Sequence, residues 1–172
     1  MGEIYSNSVE VVINTYGDMI FRIAFSITKN KPDADDIFQE VFLKYIKYKD
    51  KYEFKNEEHL KRWLIKVCIN CGKDSVSSEW NKNSSIDDDD NPIDISDGSS
   101  LDTNSEISLD LKNALNSIPA KYRTVIYLYY FEQLSTNDIA KAMGSTVPAI
   151  RITLSRARNA LKQKLGGEYN FG

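Results

Sequence analysis

The sequence predicts an all-α protein of two small helical domains joined by a flexible acidic linker. Apolar residues recur at spacings of three and four on both sides of a polar middle, which is the signature of amphipathic helices. Charge is segregated along the chain. Residues 1–78 hold 12 basic and 12 acidic groups, residues 79–106 hold Lys82 against nine acids, and residues 107–165 hold nine basic groups against three acids. The first flank shows no strand alternation of any length, and an all-α bundle is expected there.

In the first flank, Val9, Val12, Ile13, Tyr16, Ile20, Ile23, Ala24 and Ile27 form one stripe, and Lys29-Asn30-Lys31-Pro32 should end that helix. Asp33 is the expected N-cap of a second helix, with Ile37, Val41, Phe42, Tyr45 and Tyr48 at helical spacing to about residue 48. Residues 49–57 read as a loop. A third helix begins near Glu57 and carries Leu60, Trp63, Leu64, Val67, Cys68 and Cys71 on one side. These elements make an N-terminal helical bundle over 1–78.

The middle, 79–106, is rich in Ser, Asn and Asp and poor in bulky apolar residues. It cannot bury enough surface to offset the entropy of ordering, so it is expected to be a flexible linker. A solvated tether is the plain role for Asp87, Asp88, Asp89 and Asp90.

In the second flank, Leu111, Ala114, Leu115 and Ile118 form a short helix stopped by Pro119, and Tyr122, Val125, Ile126 and Tyr129 place another on 120–131. Ser135 with Asp138 resembles a capping box, Gly144 supplies a turn residue, and Ser145 or Thr146 can cap a last helix with Pro148 in its first turn. Helix, glycine-bearing turn and basic helix are the layout of a helix-turn-helix, giving a C-terminal four-helix domain over 107–165 with a tail at 166–172. On a 100° wheel Ile150, Leu154, Ala157, Leu161 and Leu165 form the buried side. Arg151, Ser155, Arg158 and Lys162 share a neighbouring face, and Arg156 lies further round. Between 146 and 165 there are five basic residues and no acid. A basic face alone is ordinary surface, but the turn, the acid-free helix and the +6 balance of its domain favour DNA binding.

Enzyme chemistry finds no support. There is one histidine, His59, and no Ser-His-Asp arrangement, HExxH or glycine-rich phosphate loop. Cys68 and Cys71 fall three apart on one helix face and are expected to be core groups, so neither a metal nor a cofactor is expected. No apolar run approaches the roughly 20 residues that span a bilayer, and no export signal opens the chain, so a cytoplasmic location without membrane insertion is expected.

Two blocks of residues resemble the extracytoplasmic-function (ECF) sigma factors of the sigma-70 family. The first runs Asp36-Ile37-Phe38-Gln39-Glu40-Val41-Phe42 and then Trp63-Leu64-Ile65-Lys66-Val67-Cys68-Ile69-Asn70, similar to the family's second region. The second runs from Leu115 to Pro119 and Arg123, through Leu134-Ser135 and Asp138-Ile139-Ala140, to Leu154-Ser155-Arg156-Ala157-Arg158, similar to its fourth region. The resemblance implies a subunit that binds core RNA polymerase and directs promoter-specific initiation. It implies that Asp36, Gln39, Glu40 and Phe42 dock on the clamp helices of the largest subunit, with the second domain near the beta flap. It implies minus-ten contacts from Tyr52, Phe54, Lys61, Arg62, Lys66, Asn70 and Lys73, although core packing is the plainer role for Phe54 and Trp63. Minus-thirty-five contacts fall to Arg151, Ser155 and Arg156, with Arg158 and Lys162 on phosphates. An anti-sigma factor is a further partner the resemblance allows, and the acidic linker could enter channels that otherwise hold nucleic acid. Ile152-Thr153, Pro148-Ala149 and Ser77-Ser78 depart from the family's usual residues. The rival reading is a conventional helix-turn-helix regulator that binds a palindrome as a dimer without polymerase.

Overall fold

In the computed structural model, which describes residues 8–77, 79–80 and 109–165, three helices form the first module. They are α1 (Val9–Thr28), α2 (Lys31–Tyr48) and α3 (Glu57–Ser75). Each begins on a side-chain cap. Ser8 Oγ accepts from the Val11 N–H, Asn30 Oδ1 from the Asp33 N–H and Asn56 Oδ1 from the His59 N–H. The cap of α2 is therefore Asn30 rather than the expected Asp33. Pro32 is the reason, because a proline fits the first turn, where its missing N–H has no helical partner to lose.

The core of this module is aliphatic and tight. Ile20, Ile23 and Ile27 of α1, Val41 and Tyr45 of α2, and Leu64, Cys68 and Ile69 of α3 are all essentially solvent-free. Gly72 lets α1 and α3 approach closely, since a Cβ there would lie 2.5 Å from Ile27 Cδ1 and 3.0 Å from its Cγ2. Gly72→Ala should lower stability by about 1 kcal/mol, the overpacking cost less the gain in helix propensity. Adding Ile27→Val removes the Cδ1 and should restore the melting temperature.

The second module contains α4 (Leu109–Ser117), α5 (Ala120–Ile126), α6 (Thr136–Met143) and α7 (Val147–Leu165). The helix expected over 120–131 is α-helical only to Ile126 and then widens into a π-turn, Tyr127–Phe131, closed by the Glu132 N–H on Tyr127 O at 3.1 Å. Its widened turn stacks Tyr127 on Phe131, ring centroids 4.9 Å apart. Ser135 caps α6, and Gly144, at φ +65°, ends it in the left-handed region that glycine adopts without a Cβ clash. Thr146 caps α7 through the Ala149 N–H. Ile150, Leu154, Ala157 and Leu161 form its buried side.

The two modules pack on each other, α5 and the π-turn against α1 and α6 against α3. Trp80 is buried, its backbone N–H donates to Val76 O, and the Lys73 ammonium sits over its ring, so the chain stays on the first module past the expected boundary at 78. The linker expected for 79–106 otherwise lies outside the described residues, as does the tail at 166–172. No strand occurs and no helix is long and apolar enough to cross a membrane among the described residues.

Candidate nucleic-acid and partner interfaces

On α3, Arg62, Lys66, Asn70 and Lys73 fall at intervals of four, four and three, which places them in one file along the helix. Lys66 and Asn70 are exposed, Lys73 is half-buried, and Arg62 forms a 3.5 Å ion pair with Asp138 of the second module. Lys61 is about 100° round the helix from Arg62 and does not join this file.

The file's neighbour is an aromatic cluster. Phe54 lies 5.5 Å from Trp63 and from His59, and 5.0 Å edge-on from Tyr52. Tyr45 closes the cluster from below, and the His59 Nδ1 accepts the Lys55 N–H, which pins the loop to α3. Tyr52 and Tyr48 remain 44% exposed at its rim, so an incoming ring could stack there. Phe54, half-buried between its neighbours, shapes the loop from within, and its direct access to a base is limited.

On α7, Arg151, Ser155 and Lys162 are exposed along one face. Arg158 belongs to that face by spacing, but its Nε donates to the Tyr130 hydroxyl at 2.7 Å and its guanidinium lies over the rings of Tyr129 and Tyr130. The side chain expected on phosphate is thus held by two tyrosines in the chain without DNA. It braces α7 on the π-turn, a position its spacing could not disclose. Arg156 is exposed on another side, and it and Lys73 each act electrostatically on Lys121. Burial, then these two like charges, lower the Lys121 pKa. Lys121 thus joins a basic group drawn from both modules, and no sequence signal marked it.

On α2, Asp36, Gln39 and Glu40 are exposed, as expected of docking residues. Phe42 is not: it is 3% exposed and packs on Phe38 at 4.9 Å. A buried ring cannot meet a partner, so Phe42 holds α2 in the core. The exposed apolar side chains on α2 near Gln39 are Leu43 and Ile46, 64% and 46% exposed. Their helical spacing from Gln39 was visible in the sequence, but which side of α2 faced out was not.

Cys68 and Cys71 are both buried. Burial pushes the Cys68 pKa well above the usual thiol range and, with the Glu40 carboxylate next, raises that of Cys71 to about 11. At pH 8 only about one Cys71 in a thousand is then thiolate, the reactive form. A thiol reagent should accordingly titrate two groups in denaturant and less than one in the native chain over an hour.

Residues 12–82 match the family described as Sigma-70 region 2, and residues 108–161 match Sigma-70, region 4. The chain is 30% identical over 151 residues to RNA polymerase sigma factor SigV of Bacillus subtilis, covering 86% of this chain and 85% of that one. Its identity to the ECF RNA polymerase sigma factor SigW of the same organism is 25% over 173 residues, 90% and 87% of the two chains. Among solved structures it resembles the sigma factor RpoE of Bartonella quintana, crystallised with the anti-sigma factor NepR. The TM-score is 0.66 at 24% identity, over 93% of this chain and 98% of that one. With region 2 on the α1–α3 module, region 4 on the helix-turn-helix module and a relative matched over most of its length, the chain belongs to the ECF sigma factors of the sigma-70 family and functions as an RNA polymerase sigma factor.

Proposed function

We propose that the labour is divided as 1–78 for core polymerase and the minus-ten element, 79–106 as acidic linker, and 107–165 for the minus-thirty-five element. The α2 face of Asp36, Gln39, Glu40, Leu43 and Ile46 docks on the clamp helices of the largest polymerase subunit. Acids steer toward a basic partner, and exposed apolar side chains at the centre of such a patch supply affinity. The file Arg62, Lys66, Asn70 and Lys73 follows the opened minus-ten strand, with Tyr52 at the rim for stacking. Arg151, Ser155 and Arg156 face the minus-thirty-five element in the major groove, Lys162 holds phosphate, and the second module approaches the beta flap. Catalysis stays with the polymerase; this chain contributes binding and works in the cytoplasm. Like the Bartonella RpoE, it takes an anti-sigma factor as regulator.

The observation that carries this reading is the single file of cationic and amide groups on α3 beside a partly exposed aromatic rim. The test is in vitro transcription by core polymerase and this chain on a genomic promoter library. Transcripts should start at a fixed distance from one shared pair of sequence elements. Absence of any chain-dependent start site refutes the reading.

A further inference from the structure

The last helix, α7, packs on α4, α5 and α6, with Ile150, Leu154, Ala157 and Leu161 on its buried side. Ile152 lies about 180° round the helix from the middle of that side. It is 52% exposed, the one large apolar side chain of α7 left so among the described residues. Arg151 precedes it, Ser155 and Arg156 follow at intervals of three and four, and all three are exposed. Arg158 is drawn aside to the Tyr130 hydroxyl. Thr153 does not join this surface either, because its hydroxyl turns back and donates to Ala149 O at 2.9 Å. The crown of α7 is therefore an isoleucine set among two guanidinium groups and one hydroxyl.

We propose that Ile152 is a specificity residue, and that in the major groove it packs on the 5-methyl group of one thymine in the minus-thirty-five element. This rests on the functional reading above, in which α7 enters that groove. The N-terminal residues of a recognition helix meet the base edges, and Ile152 stands in the second turn counted from Val147. Its chemistry then selects the base. An isoleucine side chain neither donates nor accepts a hydrogen bond. A cytosine or adenine amino group, or a guanine carbonyl, pressed against it loses its water and gains no partner. Thymine alone presents an apolar group, its methyl, on the major-groove edge. Arg151 and Arg156, on either side, hold the helix close enough to the duplex to exclude water from that contact. Since Ile152 departs from the family's usual residue, the preference is expected of this chain rather than of its relatives.

The test uses the full chain with core polymerase on promoters recovered from the genomic library. Each thymine of the minus-thirty-five element, on either strand, is exchanged in turn for deoxyuridine, which differs by the methyl alone. At one position the exchange should lower initiation by limiting amounts of the unaltered chain about fourfold, the fold-change for one buried group of that size. Ile152→Ser should use the thymine and uracil templates equally at that position. It should also melt with the unaltered chain, because the side chain it replaces is already in water. Uracil tolerated at every position, or an element without thymine, overturns the proposal. An undiminished uracil effect in Ile152→Ser overturns it as well. Lost affinity of Ile152→Ser for core polymerase alone, read by fluorescence anisotropy, would put a protein on this crown and overturn it too. Should initiation depend on no upstream element, or never occur, the placement of α7 on the minus-thirty-five element has failed, and this contact with it.

Discussion

Arg123→Met is expected to lower the unfolding free energy by about 3 kcal/mol, measured by denaturant titration. Methionine keeps the alkyl bulk of the buried stem, so the loss reports the guanidinium and not a cavity. Three carbonyls, of Ser26, Ile27 and Ile118, would lose a charged donor in a place water does not reach. Each such bond contributes about 1.5–3 kcal/mol. Against that stands the relief of no longer burying a charge that has no carboxylate among its hydrogen-bond partners, a strain visible in the Arg123 pKa, which burial lowers to about 10 while the Glu79 charge opposes the shift. The bonds outweigh the relief because two of the three acceptors are the orphan end of α1, which has no other donor at hand. Arg123→Lys, with a point charge and no planar fork, should recover only part of the loss. A change below about 0.5 kcal/mol for methionine would mean that water replaces the guanidinium at the module interface.

Leu43→Asp with Ile46→Asp is expected to weaken binding to core polymerase about 100-fold, or about 2.7 kcal/mol. The same double variant should melt within a few degrees of the unaltered chain, since both side chains already face water. The contrast is with Phe42→Ala, which should cost about 3–5 kcal/mol of stability because that ring is in the core. A fluorescence anisotropy titration of labelled chain against core enzyme separates the two. Equal binding by the aspartate pair would place the docking surface elsewhere on the first module.

How much of this could be read in the residues differs from element to element. Pattern alone located α1, α2, α3, α6 and α7 to within a few residues, because each has an apolar stripe and a polar cap that act over one or two turns. The Ser135 and Gly144 signals around the helix-turn-helix worked for the same reason, and the residue blocks around Asp36, Trp63 and Leu154 were enough to reveal the family. The π-turn at Tyr127–Phe131 left no such trace. Its extra residue is set by what Tyr127 and Glu132 meet on α1, and a wheel drawn at 100° assumes the very geometry that fails there. Phe42 and Leu43 show the same limit from another side. Adjacent apolar residues on α2 differ in exposure from 3% to 64%, and only the orientation of α2 against α1 and α3 divides core from exposed surface.

Helical identity, the two modules, the neutral balance of the first against the positive balance of the second, and the family were therefore contained in the chain's local chemistry. Periodicity, capping and charge act between near neighbours and survive in any arrangement of the parts. Which cation ends which helix was decided only in the folded molecule. Arg123 is 97 residues from Ser26, and Lys29 is 87 from Asn116, so nothing near any of them in sequence could state the pairing. Those bonds exist because packing excludes water from two helix ends and leaves a cation from the opposite module to satisfy each.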